Sequence, residues 1–140
     1  MKKQRPHITV VEDEAAMSGL LKDFLHSQGF AVSCFSSAAI ALKSIREGAK
    51  TDVVVSDIRM KPMTGLDLLA RIKEESPAIP VLLFTAAGSP EERIQSLNLG
   101  AECYFSKPFP LTELKSSLDK VLARQSGAAI PVLPNKTPKP

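Results

Sequence analysis

Five short apolar runs recur along the chain, and each is followed by a stretch with helical spacing. The runs are His7-Ile8-Thr9-Val10-Val11, Phe30-Ala31-Val32-Ser33-Cys34, Asp52-Val53-Val54-Val55-Ser56-Asp57, Pro80-Val81-Leu82-Leu83-Phe84-Thr85 and Ala101-Glu102-Cys103-Tyr104-Phe105. Three consecutive β-branched valines between polar residues predict a strand buried on both faces, the kind found in parallel sheets covered by helices. Between the runs, apolar residues fall three or four apart. Met17, Leu20, Leu21, Phe24 and Leu25 predict a helix over 15–28 that stops at Gly29. Ser36-Ser37 caps a second, with Ala38, Ala41, Leu42 and Ile45 inward. A third runs from about Gly65 to Glu75 with Leu66, Leu69 and Ile72 inward, and Pro77 ends it. Ser89-Pro90-Glu91-Glu92 opens a fourth, carrying Ile94, Leu97 and Leu99, with a cap, a proline at the first position and acids in the first turn. Leu111, Leu114, Leu118, Val121 and Leu122 mark the last.

Strands alternating with helices imply parallel pairing through right-handed crossovers. The expected fold is therefore α/β: a doubly wound five-stranded parallel sheet, flavodoxin-like order 2-1-3-4-5, in a (βα)5 three-layer sandwich. Residues 1–6 form a polar lead and 7–124 the folded domain. Residues 125–140 are rich in proline without periodicity, which suits a disordered tail or a truncated linker.

Charge changes the picture only slightly. The net charge is +3, but five of the 18 basic residues (Lys2, Lys3, Arg5, Lys136, Lys139) lie in the two tails. The remaining 13 face 15 acidic residues, so residues 7–124 are mildly acidic and a nucleic-acid surface is not expected. No apolar run approaches the ~20 residues of a membrane span. Cys34 and Cys103 match no metal spacing and read as small core residues, consistent with a reducing cytoplasm. His7 and His26 read as surface histidines.

The chemistry collects at strand ends. The first run closes in Glu12-Asp13-Glu14, the third in Asp57, the fourth in Thr85, and the fifth is followed by Ser106-Lys107-Pro108. A lone acid there serves equally as a helix cap. An adjacent acid pair is a metal-site candidate, because a hard cation such as Mg²⁺ is held by carboxylate oxygens. In the 2-1-3-4-5 order, strands one and three are neighbours at the point where the winding reverses, where open α/β sheets bind ligands. Glu12, Asp13 and Asp57 then share one rim with Thr85 and Lys107. Crowded carboxylates require a counter-charge, which a divalent cation and the Lys107 ammonium would provide. The set is a cradle for a phosphoryl group, with Asp57 as the nucleophile that forms an acyl phosphate.

These residues resemble the receiver domains of two-component response regulators, over about residues 6–124. Glu12-Asp13 matches the family's metal-binding acids and Asp57 its phosphoacceptor; Asp57-Ile58-Arg59-Met60 to Met63-Thr64-Gly65 matches the loop beyond. Thr85-Ala86 matches the switch hydroxyl and its small neighbour, Lys107-Pro108-Phe109 the lysine and its cis-proline turn, and Tyr104 the aromatic switch position. The resemblance implies Mg²⁺-dependent transfer of a phosphoryl group to Asp57 from a histidine kinase phosphohistidine or a phosphotransfer protein, slow self-dephosphorylation, and a conformational shift. It implies metal ligation by Glu12, Asp13, Asp57 and the Arg59 carbonyl. Arg59 and Ala87 occupy positions that tune acyl-phosphate hydrolysis. Thr85 would move toward the phosphoryl group, and Tyr104 would turn inward from solvent. The output would be a protein partner or fused domain meeting the face of the fourth helix, fifth strand and fifth helix, with the chain a monomer or a phosphorylation-dependent dimer. The chain departs from the family where Lys61 intervenes before Pro62, close to the Arg59 carbonyl. The helix opening Pro110-Leu111-Thr112-Glu113 lacks the arginine usual in winged-helix regulators.

Three competitors are disfavoured. A dehalogenase-type aspartyl phosphatase needs a second acid two residues past its nucleophile, where this chain has Arg59. A degenerate scaffold would not retain Glu12, Asp13, Asp57, Thr85 and Lys107 together. A flavodoxin-like cofactor binder needs a phosphate-cradling loop after the first strand, where three acids stand.

Overall fold

The computed structural model of the protein describes residues 5–125. Five strands alternate with five helices: β1 (His7–Val11), α1 (Ala15–Ser27), β2 (Ala31–Phe35), α2 (Ala38–Arg46), β3 (Val53–Asp57), α3 (Gly65–Glu75), β4 (Val81–Thr85), α4 (Pro90–Asn98), β5 (Cys103–Ser106) and α5 (Leu111–Gln125). The sheet is parallel with order β2-β1-β3-β4-β5, as the alternation predicts. Every residue of β3 and β4 is buried, as continuous apolar runs require of central strands covered on both faces.

Strand alternation divides the interior into two cores. Val54, Val81 and Leu83 join Ala41 and Leu42 of α2 and Leu68, Leu69 and Ile72 of α3. Val53, Val55, Leu82 and Phe84 point the other way, onto Leu21 and Leu25 of α1 and Leu114, Leu118 and Val121 of α5. Caps set the helix starts. Ser37 and Ser89 accept from the N–H groups of Ile40 and Glu92, and Thr64 with Asp67 closes a reciprocal capping box on α3.

Some helix faces differ from their periodicity. Leu20 is 52% exposed; adjacent leucines cannot both face the sheet, and α1 commits Leu21 and Leu25, four apart, to the core. On α4 only Ser96 is buried, while Ile94, Leu97 and Leu99 are exposed. Glu92 is what faces inward one turn earlier, held by Arg59 and Tyr104, and this fixes the rotation of the helix. Cys34 lies exposed on the edge strand β2 rather than in the core, and Cys103 is half-buried on the other edge strand. His7 is half-buried, its Nε2 2.7 Å from Ser33 Oγ. α5 continues through Gln125, whose amide donates to the Ala78 carbonyl. Residues 126–140 of the proline-rich tail and residues 1–4 of the lead lie outside the described residues.

Candidate functional site

The parallel register brings the C-terminal ends of β1, β3, β4 and β5 to one edge of the sheet. Val11 pairs with Ser56, Asp57 with Phe84, and Thr85 with Ser106. Glu12, Asp13, Asp57, Thr85 and Lys107 therefore emerge side by side, though 95 positions separate the first from the last. Two backbone bonds brace the rim: Glu12 N–H donates to the Phe35 carbonyl at 3.0 Å, and Lys107 N–H donates to the Thr85 carbonyl at 2.8 Å. The Lys107–Pro108 peptide bond is cis, as is Lys61–Pro62. After β3 the chain folds back tightly. Ile58 N–H donates to the Phe84 carbonyl, and Gly65 N–H to the Ile58 carbonyl. A Cβ on Gly65 would collide with the Asp57 carbonyl oxygen and stand 2.8 Å from Ile58 Cα. Glycine is thus demanded by close backbone approach rather than by its dihedral freedom.

One oxygen each from Glu12, Asp13 and Asp57 lies within 4.8 Å of the other two. Glu12 is 3% and Asp57 6% exposed, whereas Asp13 is open to solvent. Burial pushes Glu12 up to about 7, offset in part by the Glu14 N–H bond and reinforced by the Asp57 charge. Burial also raises Asp57 above the usual carboxylate range, against the Arg59 N–H and the Lys107 charge, which lower it. Both buried carboxyls are thus pushed up, chiefly by burial. Glu12 Oε2 accepts from Glu14 N–H at 3.0 Å, but Oε1 is buried and makes no hydrogen bond among the described residues. Lys107 Nζ stands 3.9 Å from that oxygen and 5.3 Å from the centre of the Phe84 ring. An orphaned, buried carboxylate oxygen among oxygen-only donors fits a hard divalent cation.

Thr85 is fully buried and its Oγ1 accepts from Ala87 N–H at 3.3 Å. Arg59 N–H donates to Asp57 Oδ1 at 3.4 Å, while its guanidinium crosses to α4, meeting the Ala87 carbonyl and Glu92. The Tyr104 ring lies inward, 8% exposed, rather than in solvent. Its hydroxyl finds partners there, donating to Glu92 Oε1 at 2.9 Å and accepting from Ser89 N–H at 3.1 Å. Glu92 is the participant that sequence reasoning passed over. As a first-turn acid it reads as a helix-dipole residue, and only the fold aims it at Arg59 and Tyr104. A groove of about 520 Å³ borders the site, lined by Met17, Leu20, Ala86, Lys107, Pro108 and Phe109. A larger cavity of about 580 Å³, between β5 and α5, contains none of the clustered acids. The buried acids Glu12 and Asp57 lie at the carboxylate rim, away from that cavity.

Comparison with known proteins agrees. Residues 8–119 match the family described as response regulator receiver domain. The transcriptional regulatory protein ZraR of Salmonella typhimurium is 37% identical over 126 residues, covering 89% of this chain and 28% of that protein. The transcriptional regulatory protein FixJ of Bradyrhizobium diazoefficiens is 33% identical over 123 residues, covering 88% and 60%. The chain thus spans less than two thirds of the length of these relatives. The crystal structure of a response regulator receiver domain protein from Clostridium thermocellum superposes with a TM-score of 0.82 at 28% identity, covering 86% of this chain and 97% of that one. With the sheet order, the clustered acids and these matches together, the chain belongs to the response regulator receiver domains of two-component systems.

Proposed function

We propose that Asp57 accepts a phosphoryl group from the phosphohistidine of a histidine kinase or phosphotransfer protein, and that the chain then changes conformation to control a protein partner or a fused output domain. The observation that carries this is the rim itself: three carboxyl groups, one oxygen of each within 4.8 Å of the other two, with Lys107 3.9 Å from the orphaned Glu12 oxygen. An Asp57 oxygen attacks phosphorus, the P–N bond breaks, and the histidine ring leaves as a neutral imidazole once it holds a proton. Lys107 neutralises charge on the transferred group, and Thr85 offers a hydroxyl to the same group. Glu12, Asp13, Asp57 and the Arg59 carbonyl would hold Mg²⁺, which supplies charge neutralisation at the phosphoryl oxygens when bound. The apolar groove beside Lys107, with the exposed Leu20 at its edge, suits a donor protein that must bring its histidine to Asp57. On the output side, Ile94, Leu97 and Leu99 expose apolar surface on α4, which suits a partner, or a second copy, on the α4–β5–α5 face.

Incubation with acetyl phosphate and Mg²⁺ should add one phosphoryl group, read by intact mass. Asp57→Asn should abolish labelling, because an amide is a poor nucleophile. Labelling of that variant to the level of the parent would overturn the assignment.

A further inference from the structure

Helix α4 is weakly anchored by apolar contact: among its nine residues only Ser96 is buried. Its first turn is tied down by polar groups instead. The Glu92 side chain is 10% exposed. Arg59 Nη1 lies 2.8 Å from Glu92 Oε2, and Arg59 Nη2 donates to Glu92 Oε1 at 3.2 Å and to the Ala87 carbonyl at 2.8 Å. The Tyr104 hydroxyl donates to the same Oε1 at 2.9 Å and accepts from Ser89 N–H at 3.1 Å. Glu92 thus accepts both from the loop beyond Asp57 and from the tyrosine of β5.

This carboxylate bears on where Tyr104 sits. In solvent, the tyrosine hydroxyl is satisfied by water. Inside, at 8% exposure, the same hydroxyl opposes burial unless a protein group accepts from it. The ring joins the core that contains Leu83 and Ala101, and Glu92 is the acceptor that lets it do so. Arg59 keeps that carboxylate turned toward the ring rather than out to water. The inward ring in turn reaches the phosphoryl rim. Gly88 packs against it, since a Cβ there would stand 2.6 Å from Tyr104 Oη. Gly88 belongs to the loop after Thr85, whose Oγ1 accepts from Ala87 N–H at 3.3 Å. Arg59, which holds the Ala87 carbonyl, also places its own N–H on Asp57 Oδ1. Asp57, the 86–88 loop and Tyr104 therefore form one contiguous set of contacts.

We propose that Glu92 is a positioning residue: held by Arg59, it keeps Tyr104 inward before any phosphoryl group arrives, and so presets the loop after β4 in the arrangement that a phosphoryl group on Asp57 favours. The phosphoryl group then reinforces the inward ring rather than creating it. Linkage makes the effect reciprocal: what stabilises the inward ring strengthens binding at Asp57, and binding at Asp57 stabilises the inward ring by the same factor. A chain lacking this acceptor must draw the ring in as it binds, which lowers its apparent affinity. The coupling to Asp57 rests on the phosphotransfer reading; the hold on Tyr104 does not.

Tyr104 is the only tyrosine and the chain has no tryptophan, so intrinsic fluorescence reports on this ring alone. In Mg²⁺-free buffer, acrylamide should quench the parent weakly and Glu92→Ala several-fold more strongly. Glu92→Gln should fall between them, since its amide oxygen still accepts from the Tyr104 hydroxyl but carries no charge for Arg59. Glu92→Ala quenched like the parent overturns the hold. Beryllofluoride, an acyl-phosphate mimic, tests the coupling. With Mg²⁺ it should bring the quenching of Glu92→Ala down toward the parent's level. It should also bind that variant several-fold more weakly than the parent, read from the concentration at which amide exchange slows around Asp57. Equal affinities, or quenching that stays high with the site filled, overturn the coupling. Absence of any response around Asp57 in the parent removes the coupling along with the phosphotransfer reading, while quenching in Mg²⁺-free buffer still decides the hold on Tyr104.

Discussion

Replacing Glu12 by Gln should stabilise the metal-free protein, and increasingly so as pH rises. Burial lifts the Glu12 carboxyl from an ordinary 4.5 to about 7. Between those values the folded chain binds more proton than the unfolded chain, so folding stability falls as pH rises through that window. Above it the carboxylate is ionised in both states and the full cost is in place. The interval corresponds to about 3 kcal/mol. Gln keeps an oxygen for the Glu14 N–H bond and places an NH₂ donor among the Asp13 and Asp57 oxygens, with no charge to repel them. In buffer containing a chelator, urea unfolding followed by far-UV circular dichroism should show Glu12→Gln more stable than the parent by about 2–3 kcal/mol at about pH 8. The difference should shrink to under about 1 kcal/mol near pH 5, where Glu12 is protonated in the folded parent. The thermal midpoint at the higher pH should rise by on the order of 10 °C. Mg²⁺ should narrow the gap from the parent's side, since a ligand of the folded state stabilises it. Parallel stability–pH curves for parent and variant would refute the reasoning, because they would mean that the buried Glu12 carboxyl is not the group whose ionisation opposes folding.

Two further substitutions test the frame of the site. Gly65→Ala should destabilise by about 1–3 kcal/mol, as overpacking against backbone does, whereas Gly19→Ala on α1, where a Cβ meets nothing within 4 Å, should stabilise by about 0.5–1 kcal/mol; equal thermal shifts for the two would deny the close approach at Asp57. Asp13→Ala should lose Mg²⁺-dependent labelling by acetyl phosphate while melting at or above the parent temperature in chelator, since Asp13 is exposed and its loss relieves repulsion at the rim; undiminished labelling would exclude Asp13 as a ligand.

Much of the fold was legible because its signals are local. The valine run 53–55, the Ser-Pro-Glu-Glu start of α4 and the glycines after α1, α2 and α4 each state their own conformation without reference to the rest of the chain. The β-α alternation then restricts the topology, because parallel strands need crossovers. From that topology alone, Glu12, Asp13, Asp57, Thr85 and Lys107 could be placed on one rim, since strand ends in a parallel sheet converge whatever the side-chain packing. What the sequence left undetermined depends on which of several permissible faces a side chain takes. Periodicity pointed Leu20, Ile94 and Leu97 inward, but adjacent leucines compete for one face on α1, and on α4 the Glu92 ties to Arg59 and Tyr104 set the rotation. Tyr104 pointed inward rather than to solvent for the same reason: its hydroxyl has partners there, supplied by residues 12 and 15 positions away in the chain. The upward push on the Glu12 carboxyl is also a tertiary result. No local pattern distinguishes it from Asp13 beside it; only the fold buries one carboxyl and leaves its neighbour in water.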